Sequence, residues 1–223
     1  MFDTVAPRYD FLNRVLSARR DVGWRRRAVA LARLGPGESA LDLGVGTGDL
    51  AFELLAASDP TARVVGIDVS SAMLEAVRRR AHAAGVGDRF EAHLADAQAL
   101  TFPDASFDRV TAGFAVRNFG DLDAGLAEMR RVLKPAGRAV VLELSTPPNP
   151  LLRGVFRLYF HRLAPRLAAL LGGDAEAYRY LPRSVAGFPG AEALAGRMRD
   201  AGFARVRFER MAGGIAAIHV GEP

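Results

Sequence analysis

Cysteine is missing from all 223 residues. That removes disulfides, thiolate metal ligands and cysteine nucleophiles together. Long apolar runs are missing as well: none approaches the roughly 18 residues of a membrane-spanning helix, and nothing reads as a secretory signal. No internal repeat or low-complexity tract breaks the chain. The lack of cysteine is compatible with a reducing cytosol, and a cytoplasmic protein is expected. What is present is a chain half hydrophobic and one quarter charged, enough apolar material for one domain with a sizeable core.

The net charge of +5 is unevenly spread. Residues 1–33 carry eight Arg against three Asp, and residues 150–183 carry six Arg against Asp174 and Glu176. Between them, residues 34–149 carry sixteen acids against ten Arg and Lys134. An acidic middle is therefore flanked by two basic segments. The first contains "YDFLNRVLSARRDVGWRRR" (9–27), which suits a nucleic-acid arm, a membrane-facing lid or a solvated amphipathic helix equally well.

Along the chain, "AVALARL" (28–34) continues a helix that Gly35-Pro36-Gly37 stops. Five short apolar strand patterns follow: "SALDLGV", "ARVVGIDV", "RFEAHLAD", "FDRVTAGFAV" and "RAVVLELS". Helical patterns separate most of them; the last, "DLDAGLAEMRRVLKPAG", is expected to end at Pro135 and Gly137. This alternation predicts a doubly wound α/β fold, a parallel sheet with helices on both faces. After the breaker "TPPNP" (146–150) comes a basic amphipathic helix, interrupted at Pro165. A surface helix and two strands, "ARVRFERM" and "GIAAIHV", close the chain and are expected to pair through Ala212-Gly213-Gly214. The expected organisation is a single domain: a helical lid (1–34), a core (35–146), an insertion (147–187) and a closing unit (188–223).

"LDLGVGTGD" places Gly44, Gly46, Thr47 and Gly48 between the first strand and its helix, where flexible backbone and free N–H groups meet a ligand. A dinucleotide fingerprint needs glycine at 49, where the chain has Asp. An acid there disfavours pyrophosphate and tolerates an ammonium group. Asp68 ends the second strand, where a carboxylate accepts from ribose hydroxyls. Asp96 and Ala97 follow the third strand at the expected height of an adenine. Together they point to S-adenosylmethionine as cofactor, against ordinary turn glycines and capping acids.

The chain also resembles a known family, the ubiquinone/menaquinone biosynthesis C-methyltransferases of the UbiE/MenG type. The resemblance spans nearly the whole chain. It is carried by "FDTVAPRYDFLNRVLS" with Trp24, "LDLGVGTGDLA", "GIDVSSAML", "ADAQALTFPDASFD", "GFAVRNFGD", "EMRRVLKPAGRAVVLELS", "YRYLPRSVAGFP" and "GGIAAIHVG". It implies a Rossmann-like class I methyltransferase, moving a methyl group to a ring carbon of a reduced polyprenyl quinone precursor such as demethylmenaquinol. Cofactor contacts carry over onto Thr47, Asp68, Asp96 and Ala97. Many members have serine where this chain has Gly113, so that contact is expected to be lost or made by backbone.

Under that resemblance Arg117 stabilises a phenolate electrostatically. Asn118 orders a water that takes the proton, and Tyr9 closes the site from the lid. The plainer readings are an ion pair of Arg117 with Asp121 or Asp123, and mere packing for Tyr9. His82, His93, His161 and His219 read as ordinary surface or core histidines. Arg153, Arg157, His161 and Arg166 recur at helical spacing, so the two basic segments are expected to face anionic lipid in peripheral contact with the membrane. A nucleic-acid methyltransferase would lack the "RN" and "YRYLP" segments, so nucleic acid is not an expected partner. A non-catalytic quinone-binding protein would not need the glycine loop or Asp68. A homodimer is left open.

Overall fold

The computed structural model describes residues 20–158, 184, 185 and 187–223. Tyr9, His161, Arg166 and the "YRYLP" segment lie outside them. In chain order the elements are α1 (Arg20–Ala32), β1 (Ser39–Leu43), α2 (Asp49–Ala57), β2 (Arg63–Asp68), α3 (Ser71–Ala83), β3 (Phe90–Leu94), β4 (Phe107–Gly113), α4 (Leu122–Arg131), β5 (Leu133–Leu144), α5 (Pro150–Leu158), α6 (Ala191–Asp200), β6 (Arg205–Met211) and β7 (Ala216–Glu222).

The seven strands form one sheet in the order β3-β2-β1-β4-β5-β7-β6. The first five are parallel, and β7 runs antiparallel between β5 and β6. The central strands read as near-continuous apolar runs because both faces are covered. One face buries Leu41, Leu43, Val110, Leu126 and Met129; the other buries Trp24, Ala28, Leu54, Val140 and Ile218. The order turns back between β1 and β4, and such a reversal leaves a crevice at the carboxyl ends of the two strands. The closing pair forms as expected, through a short turn in which Gly213 and Gly214 take positive φ.

Two boundaries differ from the expectation. Helix α4 stops at Arg131, and β5 already begins at Leu133. Leu133 pairs with Phe107, the register slips, and regular pairing resumes at Arg138 opposite Arg109. Pro135 and Gly137 thus sit in a bulged segment of a strand, a place where proline's missing N–H costs no ladder bond.

The second difference concerns the arginine-rich stretch. Its last third packs on the core. Helix α1 packs against α2, β5 and β7, burying Asp21, Trp24, Arg25, Ala28 and Ala32 at helical spacing. Ala28 and Ala32 let the helix lie close to the sheet, and Trp24 meets Phe114 with ring centroids 6.5 Å apart. Of its arginines, Arg27 pairs with Glu209 at 2.7 Å and Arg25 turns inward.

Trp24→Ala should therefore destabilise the protein by about 3–5 kcal/mol. For a domain of this size that lowers Tm by roughly 6–20 °C. Calorimetry that shows an unchanged Tm would return α1 to the status of a detachable lid.

Candidate functional site

The crevice holds an open cleft lined by the carboxyl ends of β1, β2 and β4 and the loops that follow them. Its floor is the β1–α2 loop. Gly44 has φ +65°, and a Cβ there would lie 2.6 Å from that of Ala115. Only glycine lets the loop pass so close to the chain after β4. Gly46 and Thr47 also line the cleft, whereas Gly48 does not. Gly48 has φ +90° and packs against Val77 and Phe52, so its constraint is the seating of α2 on α3 rather than ligand contact.

Asp68, at the end of β2, accepts a hydrogen bond from Gly46 N–H through Oδ2 and from Ser70 N–H through Oδ1, both at 2.9 Å. One bond braces the glycine loop and the other starts α3. Each oxygen retains a second lone pair, which suits a ligand with two neighbouring hydroxyls. Asp96 is exposed at the opposite rim; its Oδ1 accepts from the backbone and side chain of Gln98 at 2.9 Å. Ala97 lies buried beside it. Gly113 lines the cleft at the end of β4, where an added Cβ would press on Leu50 at 3.1 Å. A serine there would displace Leu50, so any ligand contact at this position falls to backbone.

The cleft walls bring in residues that the sequence pattern did not single out. Asp42, within "SALDLGV", is only 2% exposed. Burial pushes its carboxyl up to about 7, against the opposing pull of the Thr111 hydroxyl, which donates to it at 2.7 Å; the nearby Asp68 charge adds to the rise. Arg25, from α1, also lines the cleft. It donates to Asp21 at 2.6 Å and to Asp49 at 2.7 Å, while Asp49 also pairs with Arg80 at 2.7 Å. The acid expected to face an ammonium group is thus held in a charge network that links α1, α2 and α3.

Arg117 and Asn118 part company. They share a short 3-10 turn, Val116–Asn118. Asn118 faces the cleft beside Phe114, Ala115 and Phe119. Arg117 points the other way, with its side chain 2% exposed. Its partner is neither Asp121 nor Asp123 but Glu143 at the end of β5, 2.7 Å away and 1% exposed. Arg117 also donates to the Phe114 carbonyl at 2.5 Å, and Glu143 accepts from the Arg117 backbone N–H at 3.2 Å. A buried carboxylate requires a countercharge, and Arg117 supplies it. Arg117 does not line the cleft. An acid inside the apolar run "VVLELS" was the available signal for Glu143.

Of the histidines, His82 and His93 are exposed. His219 is buried against the Ala191 carbonyl at 2.8 Å, and burial lowers its pKa. None of these three lines the cleft.

The model of the ubiE/COQ5 methyltransferase family matches residues 1–222. The chain belongs to this family. It is 51% identical over 222 residues to the demethylmenaquinone methyltransferase of Thermus thermophilus, covering 100% of this chain and 99% of that protein. It is 49% identical to the Deinococcus radiodurans protein of the same name, covering 100% of this chain and 90% of that one. A ubiquinone/menaquinone biosynthesis C-methyltransferase from Geotalea uraniireducens is 42% identical, with 100% and 94% covered. Among solved structures, S-adenosylmethionine-dependent methyltransferases share the fold. One from Aquifex aeolicus has a TM-score of 0.67 at 18% identity, covering 92% of both chains. Another from Thermotoga maritima has a TM-score of 0.70 at 20% identity, covering 99% of this chain and 97% of that one.

The cleft suits S-adenosylmethionine, the methyl donor expected from the glycine loop and the strand-end acids. Four carboxylates, Asp42, Asp49, Asp68 and Asp96, line it with one guanidinium, Arg25, among the described residues. An acidic lining fits a ligand that carries a sulfonium and an ammonium, and paired lone pairs on Asp68 fit a ribose. Thr47, Asp68, Asp96, Ala97 and Gly113 would hold it.

Asp42 makes a pH test. Its folded pKa lies above the ordinary value near 3.8, so ionisation costs stability. The cost is absent below about pH 4, grows as pH rises, and is complete above about pH 7. Asp42→Asn keeps an acceptor for Thr111 and removes the cost. The substitution should raise Tm by several degrees at pH 8 and by little at pH 4. An equal effect at both pH values would show that Asp42 is not held protonated.

Proposed function

We propose that this methyltransferase methylates a ring carbon of demethylmenaquinol, a reduced polyprenyl naphthoquinone precursor, to give menaquinol. The 51% identity to a demethylmenaquinone methyltransferase over essentially both whole chains carries this reading. The relatives named for both quinones are less similar, at 39% to 42%. The bound donor supplies an electrophilic sulfonium methyl. The ring carbon gives its electron pair to that methyl, the carbon–sulfur bond breaks, and the ring loses a proton. The reduced ring suits this because ionising its hydroxyl enriches the neighbouring carbon.

The protein's share is positioning and charge. Asp68 braces the glycine loop while accepting from the donor's ribose. Asn118, on the wall formed by the 114–119 turn, orders a water for the acceptor's proton. Arg117 acts from behind the wall, through Glu143, by fixing the turn that carries Asn118 and Phe119.

A polyprenyl acceptor resides in lipid, so we infer peripheral contact with the membrane surface. No helix of the described residues is long and apolar enough to cross a membrane. On α5, Phe156 packs inward while Leu151, Val155 and Leu158 stand exposed along one side. Arg153, assigned to the lipid-facing stripe from spacing, instead donates to the Pro147 and Pro148 carbonyls at 3.1 and 2.8 Å. The exposed apolar side of α5 is the better candidate for that contact.

Deleting the protein from its cell should leave quinones lighter by one methyl group, read by mass spectrometry. An unchanged quinone profile would overturn the acceptor. In the purified enzyme, Glu143→Gln keeps the shape of the Arg117 contact and removes its charge. A loosened turn should lower kcat roughly 10- to 100-fold while donor affinity, measured by calorimetry, stays nearly constant. A folded variant with normal kcat would reduce the pair to a packing feature.

A further inference from the structure

Arg25 occupies a place that nothing in the glycine loop explains. It comes from α1, outside the strand–loop–helix unit that builds most of the cleft, and yet it lines the cleft. It is the one cation among the described lining residues, facing four carboxylates. Its side chain is 10% exposed, and both of its hydrogen bonds, to Asp21 and Asp49, leave from the same nitrogen, Nη2. A guanidinium has five N–H donors in a planar fork. Two are used on Nη2, so Nε and Nη1 keep three for another acceptor.

Charges of both signs surround it before any ligand arrives. Asp21 and Asp49 are matched by Arg25 and Arg80, and Arg80 also donates to the Thr47 carbonyl at 2.9 Å. A cluster of this kind neither attracts a net anion strongly nor repels a zwitterion. It suits a ligand end that carries both an ammonium and a carboxylate.

We propose that Arg25 binds the carboxylate of the methyl donor's amino-acid end, with Asp49 on the ammonium side. This rests on S-adenosylmethionine being the donor and is independent of the acceptor. Asp21 and Asp49 hold the guanidinium through Nη2, and the Nε–H and Nη1–H donors remain to meet a carboxylate through single charge-assisted hydrogen bonds. Helix α1 thereby becomes part of the donor site. The alternative is that Arg25 is only a strut between α1 and α2.

The test compares two nucleosides by calorimetry, without acceptor: S-adenosylhomocysteine and its decarboxylated analogue, which keeps the ammonium. Arg25→Gln should weaken S-adenosylhomocysteine binding about 10- to 100-fold, the scale of hydrogen bonds to a charged group. Affinity for the analogue should change less than about 3-fold by the same reasoning. Because Gln removes the guanidinium that pairs with buried Asp21, Arg25→Lys is the second variant. It keeps the charge, loses the Nε–H and Nη1–H donors and should show a smaller loss confined to the carboxylate ligand. Equal weakening of both nucleosides, in either variant, makes Arg25 a strut and overturns the proposal. So does an unaltered affinity for both. Failure of the unaltered protein to bind either nucleoside would overturn it together with the donor assignment, whereas a wrong acceptor would leave these measurements untouched.

Discussion

Glu143 stands at the carboxyl end of β5 with almost no access to water, and its charge must be answered from within the protein. The answer comes from Arg117, one strand away, and it dictates the path of the chain after β4. Once the guanidinium is drawn under the turn, where it also holds the Phe114 carbonyl, the next residue, Asn118, faces the cleft. Losing one partner of such a pair costs about 3–5 kcal/mol, so the turn has little freedom to open. The cleft wall after β4 is therefore set by an ion pair that does not itself line the cleft.

The same economy of charge runs through the donor side. The cleft is acidic, yet its acids differ in role because their surroundings differ. Asp68 is braced by two backbone N–H groups, Asp96 stands in water, and Asp49 is matched by two arginines. Asp42 alone is buried with only a neutral hydroxyl as donor, and its carboxyl holds its proton to near neutral pH. A positive ligand seated beside Asp42 would draw that proton off, which links occupancy of the cleft to the charge of its floor.

Much of this was legible along the chain. Apolar runs of five or six residues, divided by helical stretches, already specify a parallel sheet, because such strands must be covered on both faces. The glycine spacing, with Asp49 in place of a third dinucleotide glycine, separates this loop from a pyrophosphate cradle. Asp68 and Asp96 stand at strand ends, and strand ends in such sheets meet ligands. The less legible parts were those in which one periodicity served two purposes. "MRRVLKPAG" continues a helical pattern, but pairing of Leu133 with Phe107 brings it into the sheet early. Arg25, Arg26 and Arg27 are indistinguishable as letters. The 3.6-residue turn of α1 sends the first into the cleft, leaves the second exposed and gives the third to Glu209.

Local order thus settles what each segment can form, since turn chemistry and side-chain period act over a few residues. The sequence by itself determined the α/β class, the glycine loop and the strand-end acids, together with the family whose motifs it carries. Partnership of charges is another matter. Arg117 meets Glu143 across 26 positions and Arg25 meets Asp49 across 24, distances over which sequence spacing carries no geometric information. Only the packed sheet brings those groups together, and only there does desolvation decide which arginine is a surface charge, which a support and which a candidate ligand.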